Sequence, residues 1–143
     1  MDIEKLPSFS AADVSVIIHA TEDKNKILES LCSIFSIDAN RFRYTELIGH
    51  WGNRISLLTG SLGSAEANRL IQKILLSLSA VEKNHLLSSS HSFIDDKGNL
   101  YLRLDKQRIC QKRISLSETD SIRLRFRPAR QFKVNSNYDY LIR

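Results

Sequence analysis

Apolar side chains run almost unbroken from Val14 to Ile18, and Val14, Val16, Ile17 and Ile18 are all β-branched. This predicts a strand over Asp13 to Ala20, buried on both faces and closed by His19. From Thr21 the period changes. Ile27, Leu28, Leu31, Cys32, Ile34 and Phe35 form one stripe at helical spacing, with Thr21 placed to cap the helix and Glu22 and Asp23 on its first turn. Asp38-Ala39-Asn40 breaks the pattern. Alternation then sets in: Phe42, Tyr44 and Glu46 share one face of a strand over 41–47, and Arg41, Arg43, Thr45 and Leu47 share the other. A second strand, Arg54 to Thr59, ends at Gly60.

Ser64 caps a second helix, striped by Ala67, Leu70, Ile71, Ile74, Leu75 and Leu78. Ser79-Ala80-Val81-Glu82 fits a reciprocal capping box and predicts a short helix to about Leu87. Residues 93–95, the turn 96–98 and residues 99–104 read as a hairpin. Asp105 then caps a short helix over 106–110, and a brief strand follows at 114–116. In the strand Ser121 to Arg127, Ile122, Leu124 and Phe126 turn to the core. Arg123, Arg125 and Arg127 therefore share the opposite face, about 6.5–7 Å apart at strand rise. Pro128 ends the pairing. The pattern divides the chain into a loose lead-in (1–12), one α+β domain (13–128) and a basic C-terminal tail (129–143).

With 143 residues, 42% hydrophobic and 26% charged, the chain can bury a core without metal or disulfide staples. No apolar run approaches bilayer length, and Met1-Asp2-Ile3-Glu4-Lys5 does not begin a signal peptide. Cys32 and Cys110 form no C-x-x-C pair, and Cys32 falls on the apolar side of its helix. Both are expected to be reduced thiols of a cytoplasmic protein, a bridge between them being the alternative.

Net charge is +5, and its distribution is uneven. Residues 1–96 hold 9 Lys/Arg against 12 Asp/Glu, whereas residues 97–143 hold 12 against 4. The asymmetry points to a polyanion, nucleic acid before membrane. The Arg123, Arg125, Arg127 ladder suits successive phosphates, which guanidinium binds in a forked geometry. Tyr101 and Arg103 on another strand add a stacking ring and a further charge. The competing reading leaves the three arginines solvated and paired with carboxylates of a neighbouring strand or helix. Glu46, His50, Asp105 and Lys106 are of catalytic type. However, the chain has no phosphate-cradling glycine loop, no G-x-S-x-G and no serine or cysteine with a marked partner. No enzyme is expected. His19, His50, His85 and His91 lack an i,i+4 pair, and Asp95-Asp96 reads as turn chemistry, so no metal or cofactor is expected.

The stretch from Glu46 to Asn53 stands apart. It holds the only tryptophan and two of the five glycines. Gly49 and Gly52 predict a bend that needs positive φ or close backbone approach. Trp51 within it either folds back over the core edge or offers its indole to a partner, and Glu46 beside it is placed to pair with a base. Glu46 and Gly49-His50-Trp51-Gly52-Asn53, then Leu100-Tyr101-Leu102-Arg103-Leu104-Asp105-Lys106-Gln107, preceded by His19-Ala20-Thr21-Glu22-Asp23, resemble an archaeal family of RNA-binding proteins and predicted exosome subunits. The blocks keep their order across roughly residues 14 to 127. The resemblance implies a fold like that of ribosomal large-subunit protein five, RNA as ligand, and exosome- or ribosome-related proteins as further partners.

The combined expectation is a two-layer α+β domain, its antiparallel or mixed sheet packed against helices 21–35 and 64–78. It binds RNA without catalysis through Arg123, Arg125, Arg127, Arg103, Tyr101, Lys106, His50, Trp51 and Asn53. The alternative is a protein-interaction or assembly module whose basic face meets an acidic partner. Oligomeric state stays open, a homodimer included.

Overall fold

β1 (Phe9–His19) is the central strand of a five-stranded sheet ordered β2-β3-β1-β5-β4 in the computed structural model, which describes residues 8–129. All four pairings are antiparallel. Ala12, Val14, Val16 and Ile18 of β1 are buried, while Asp13, Ser15 and Ile17 are only half-buried. The expected burial on both faces therefore holds for one face, because helices cover only that side. The strand also starts earlier than its apolar run. Phe9 is buried, packs its ring 5.4 Å from that of Phe126, and bonds through its backbone to Asn68, which shortens the expected lead-in. Residues 1–7 and 130–143, including nearly all of the expected basic tail, lie outside the described residues.

A turn closed by the Glu22 N–H on the His19 carbonyl (2.9 Å) precedes α1 (Lys24–Phe35). That turn moves the cap from Thr21 to Asp23, whose carboxylate accepts from the Lys26 N–H. A 3₁₀ turn leads into the ribbon of β2 (Phe42–Ile48) and β3 (Arg54–Leu62). β3 runs past Gly60 rather than ending there. Phe42 lies opposite, and a Cβ on Gly60 would come within 2.9 Å of its ring, so the missing side chain makes room for the aromatic across the strands.

The cap of α2 (Ser64–Ser77) is Gly63 rather than Ser64: the Gly63 N–H donates to Glu66, while Ser64 is already helical and turns its hydroxyl to the Phe9 carbonyl. The Glu66 carboxylate also takes a fork from Arg41 at 2.8 and 3.0 Å, tying the start of the ribbon to the helix. α3 (Ala80–Ser88) has the reciprocal Ser79–Glu82 box read from the sequence. The hairpin expected over 93–104 shrinks to one bridge, Ile94 to Leu100. Residues Ser90–Phe93 form a helical turn, α4, and β4 (Leu100–Asp105) pairs with β5 (Ser121–Pro128). Between them, Asp105 caps α5 (Lys106–Cys110) by accepting from the Arg108 N–H at 2.9 Å. The strand expected at 114–116 is likewise a single bridge, Leu116 to Leu104.

The core lies between the sheet and α1, α2 and α5: α2 runs along β1, and α1 packs beside α5. Burial of Leu31, Ile71, Ile74, Leu100, Leu102, Leu104, Ile122, Leu124 and Phe126 stabilises it, each large side chain contributing about 1.5–3 kcal/mol. Cys32 and Cys110 are free, half-buried thiols at its edge. No helix among the described residues is long and apolar enough to cross a membrane.

Candidate nucleic-acid interface

The alternation that sends Ile122, Leu124 and Phe126 into the core places Arg123, Arg125 and Arg127 on the uncovered face, as their spacing predicts. Register decides what they meet. Tyr101 lies opposite Arg125 and Arg103 opposite Arg123, so with Arg127 β4 and β5 combine five of the sequence-predicted residues on one surface. The ladder is not uniform, however. Asp13 of β1 accepts from Arg125 at 2.9 Å and from Arg127 at 2.9 Å. Burial pushes the Asp13 carboxyl upward, but hydrogen bonds from Arg127 and Arg125 and their charges outweigh it and hold the group below its ordinary value. Hydrogen bonding to Asp13 also raises Arg125. Two of the three arginines thus pair with a neighbouring strand, as the competing reading has it.

Arg103 and Arg123 differ. They are directly opposed across β4 and β5, and among the described residues neither has a carboxylate within ion-pair distance. Like charges opposed on a sheet cost stability, and an anion resting between them removes that cost. Tyr101 is held beside them. Its hydroxyl donates to Asp95 at 3.0 Å, and Asp95 is itself fixed by the N–H groups of Lys97 and Asn99. The residue remains 42% exposed.

The face is concave. A groove of about 990 Å³ has Arg103, Arg123, Arg125 and Tyr101 on its floor, and Val81, His85, Ser89, Ser92 and Phe93 of α3 and α4 on its wall. A shallower depression of about 590 Å³ shares Asp13 and Ser15 with it and reaches Arg41 and Arg43 toward the other edge of the sheet. None of the wall residues is legible as functional from the sequence. Their signal is only that α3 exposes Val81 while burying Leu86.

Lys106 is the correction. The sequence places it on the RNA surface, but its side chain is 3% exposed. Its ammonium donates to the Ile17 carbonyl (2.7 Å) and Glu22 (2.8 Å), and pairs with Asp120 at 2.9 Å. A cap at Asp105 turns residue 106 inward, over the end of β1. His19, Glu22 and Asp120 bring three ligand atoms within 4.8 Å of one another, a spacing that suits a metal. The Lys106 ammonium bridges the two carboxylates and offsets one of their two charges, so the cluster ties β1, α5 and the residue before β5 together as an internal ion-pair lock.

His50, Trp51 and Asn53 stand apart from the groove, in the loop joining β2 and β3. Gly52 there has φ +77°, and a Cβ on Gly49 would sit 2.5 Å from the Asn53 amide, so the two glycines answer different needs. The Gly49 N–H donates to the Asn53 carbonyl at 2.7 Å and that of Gly52 to Gly49 at 3.0 Å. The loop therefore presents Trp51 outward, 88% exposed, with the His50 ring edge-on at 4.7 Å. It does not fold over the core edge. Tyr44 is also incompletely packed and carries the Lys24 ammonium 4.1 Å over its ring, while Glu46 is exposed at the end of β2.

The comparisons with known proteins define the class to which this α+β domain belongs. A family model described as RNA binding matches residues 11–127, so the chain belongs to that family. Among its relatives, RNA-binding protein PAB1135 of Pyrococcus abyssi is 26% identical over 114 residues, covering 76% of this chain and 74% of that protein. The crystal structure of protein SSO0741 from Sulfolobus solfataricus is similar at 32% identity and TM-score 0.71, covering 92% of this chain and 93% of that one. Mth689 of Methanothermobacter thermautotrophicus shares the fold at TM-score 0.76 and 21% identity, over 94% and 96% of the two chains.

Proposed function

We propose that this protein binds RNA without catalysis, through the open face of its sheet. The observation that carries the reading is the opposed pair Arg103 and Arg123, without a carboxylate partner among the described residues, beside Arg125 and a fixed, exposed Tyr101. Guanidinium groups supply forked phosphate contacts and the tyrosine a stacking surface, the two elements that hold single nucleic-acid strands. Trp51, with His50 and Asn53 around it, adds a second stacking contact at the ribbon tip. The family resemblance extends the proposal to work beside RNA-processing machinery, the exosome first; retention of exosome subunits on the immobilised protein after nuclease treatment tests that part.

Filter binding of mixed RNA across a salt series tests the central claim. The double variant Arg103→Gln/Arg123→Gln is expected to melt no lower than wild type and to flatten the slope of log affinity against log salt by roughly 1.4, at about 0.7 per phosphate contact. Unchanged affinity and slope would move the binding surface elsewhere.

A further inference from the structure

We infer that the groove takes one unpaired RNA strand, with its phosphates on the arginines of the floor and its bases between Tyr101 and the α3–α4 wall, and that it discriminates against duplex RNA. The inference rests on the RNA-binding reading and specifies its ligand.

The groove's cations all lie on the sheet: Arg103, Arg123 and Arg125, the last paired with Asp13 on the same floor. The facing wall carries no lysine or arginine among its lining residues. It offers Val81, 78% exposed, and the half-buried Phe93, and its charged groups on that side and at the lip are the carboxylates Glu82 and Glu118. Glu82 is held by the Ser79 and Leu116 N–H groups, and Glu118 lies 3.7 Å from His85. Duplex RNA is recognised by contacts to 2′-hydroxyls and phosphates across its minor groove, so it brings phosphates of two strands to a protein. A second phosphate strand here meets carboxylates and apolar carbon. A single strand has an anionic edge and an aromatic edge; the first matches the arginines of the floor, the second Tyr101 and the wall facing it. Size agrees with this. About 990 Å³ is at the upper end of the roughly 300–1,000 Å³ range of small-ligand pockets, room for a few nucleotides.

The experiment titrates the full chain into a labelled, unstructured oligouridylate and into a blunt RNA duplex of equal length, each across a salt series. Wild type is expected to prefer the single strand by about tenfold or more. Val81→Ser removes an apolar contact from an exposed helix position without changing charge. It should weaken single-strand binding several-fold, leave the salt slope intact, and leave the weak duplex binding unchanged. Equal or tighter duplex binding by wild type would overturn the inference while sparing the RNA-binding reading. So would a Val81→Ser variant that matches wild type on the single strand. Absence of binding to either RNA would overturn both.

Discussion

Replacing Asp13 by Asn should tighten RNA binding at a cost in stability. Asp13 holds two guanidinium groups, those of Arg125 and Arg127, each at 2.9 Å, and it is the carboxylate set among the arginines of the open face. A phosphate arriving at Arg125 or Arg127 must compete with it. Removing the carboxylate frees one or two arginines for phosphate, which should steepen the log–log salt slope by about 0.7 to 1.4. With that slope, each additional phosphate held raises affinity near 0.1 M salt about fivefold. Folding loses in return. Side chains of 30% to 46% exposure make partly screened pairs, each contributing about 0.2–1 kcal/mol, so the variant should lose roughly 0.5–2 kcal/mol. Fluorescence anisotropy over a salt series and a chemical denaturation curve measure the two effects separately. Unchanged affinity and slope would mean that phosphate does not reach this side of the face. Weaker binding would mean that Asp13 aims the two arginines at their ligand, the reverse of the competition argued.

The pH dependence of the same pair has a definite sign. The folded Asp13 carboxyl lies below its ordinary value of 3.8, so its contribution is complete above that value and is lost as pH falls through the folded pKa. The stability gap between wild type and Asp13→Asn should therefore be flat from neutral pH down to about pH 4 and close below it; a gap that closes nearer pH 6 would point to another group. Lys106→Met leaves Glu22, Asp120 and the Ile17 carbonyl without their shared donor, and should cost about 2–4 kcal/mol by denaturation, with little direct effect on RNA contact. Trp51→Ala should change stability by no more than about 0.5 kcal/mol, and the wild-type indole should be quenched freely by acrylamide until RNA is added. Cys32 and Cys110 should alkylate in denaturant without prior reduction, and melting should be insensitive to reductant; a mass shift that needs reduction would show a bridge.

Much of the architecture is legible in the sequence because local periodicity and capping are sequence-local physics. The stripes of α1 and α2, the Ser79–Glu82 box, the Asp105 cap and the common face of Arg123, Arg125 and Arg127 each follow from residues within one or two turns or strands. The departures fall where distant segments meet. Gly60 reads as a strand end because only the ring of Phe42, across the ribbon, explains a glycine inside a strand. Residues 93–95 read as one arm of a hairpin, but β4 has β5 available as a longer partner and pairs there instead. Lys106 reads as exposed because charge alone says so, and its burial depends on Glu22 and Asp120 arriving from 84 residues upstream and 14 downstream. The sequence by itself determined which side chains of a helix or strand share a face, since the periods of helix and strand are properties of the backbone. Tertiary structure alone decided that Arg103 opposes Arg123, that Asp13 claims Arg125 and Arg127, and that Val81 faces them across a groove. Register and strand order set those neighbours, and both are fixed by packing between segments that the chain keeps far apart.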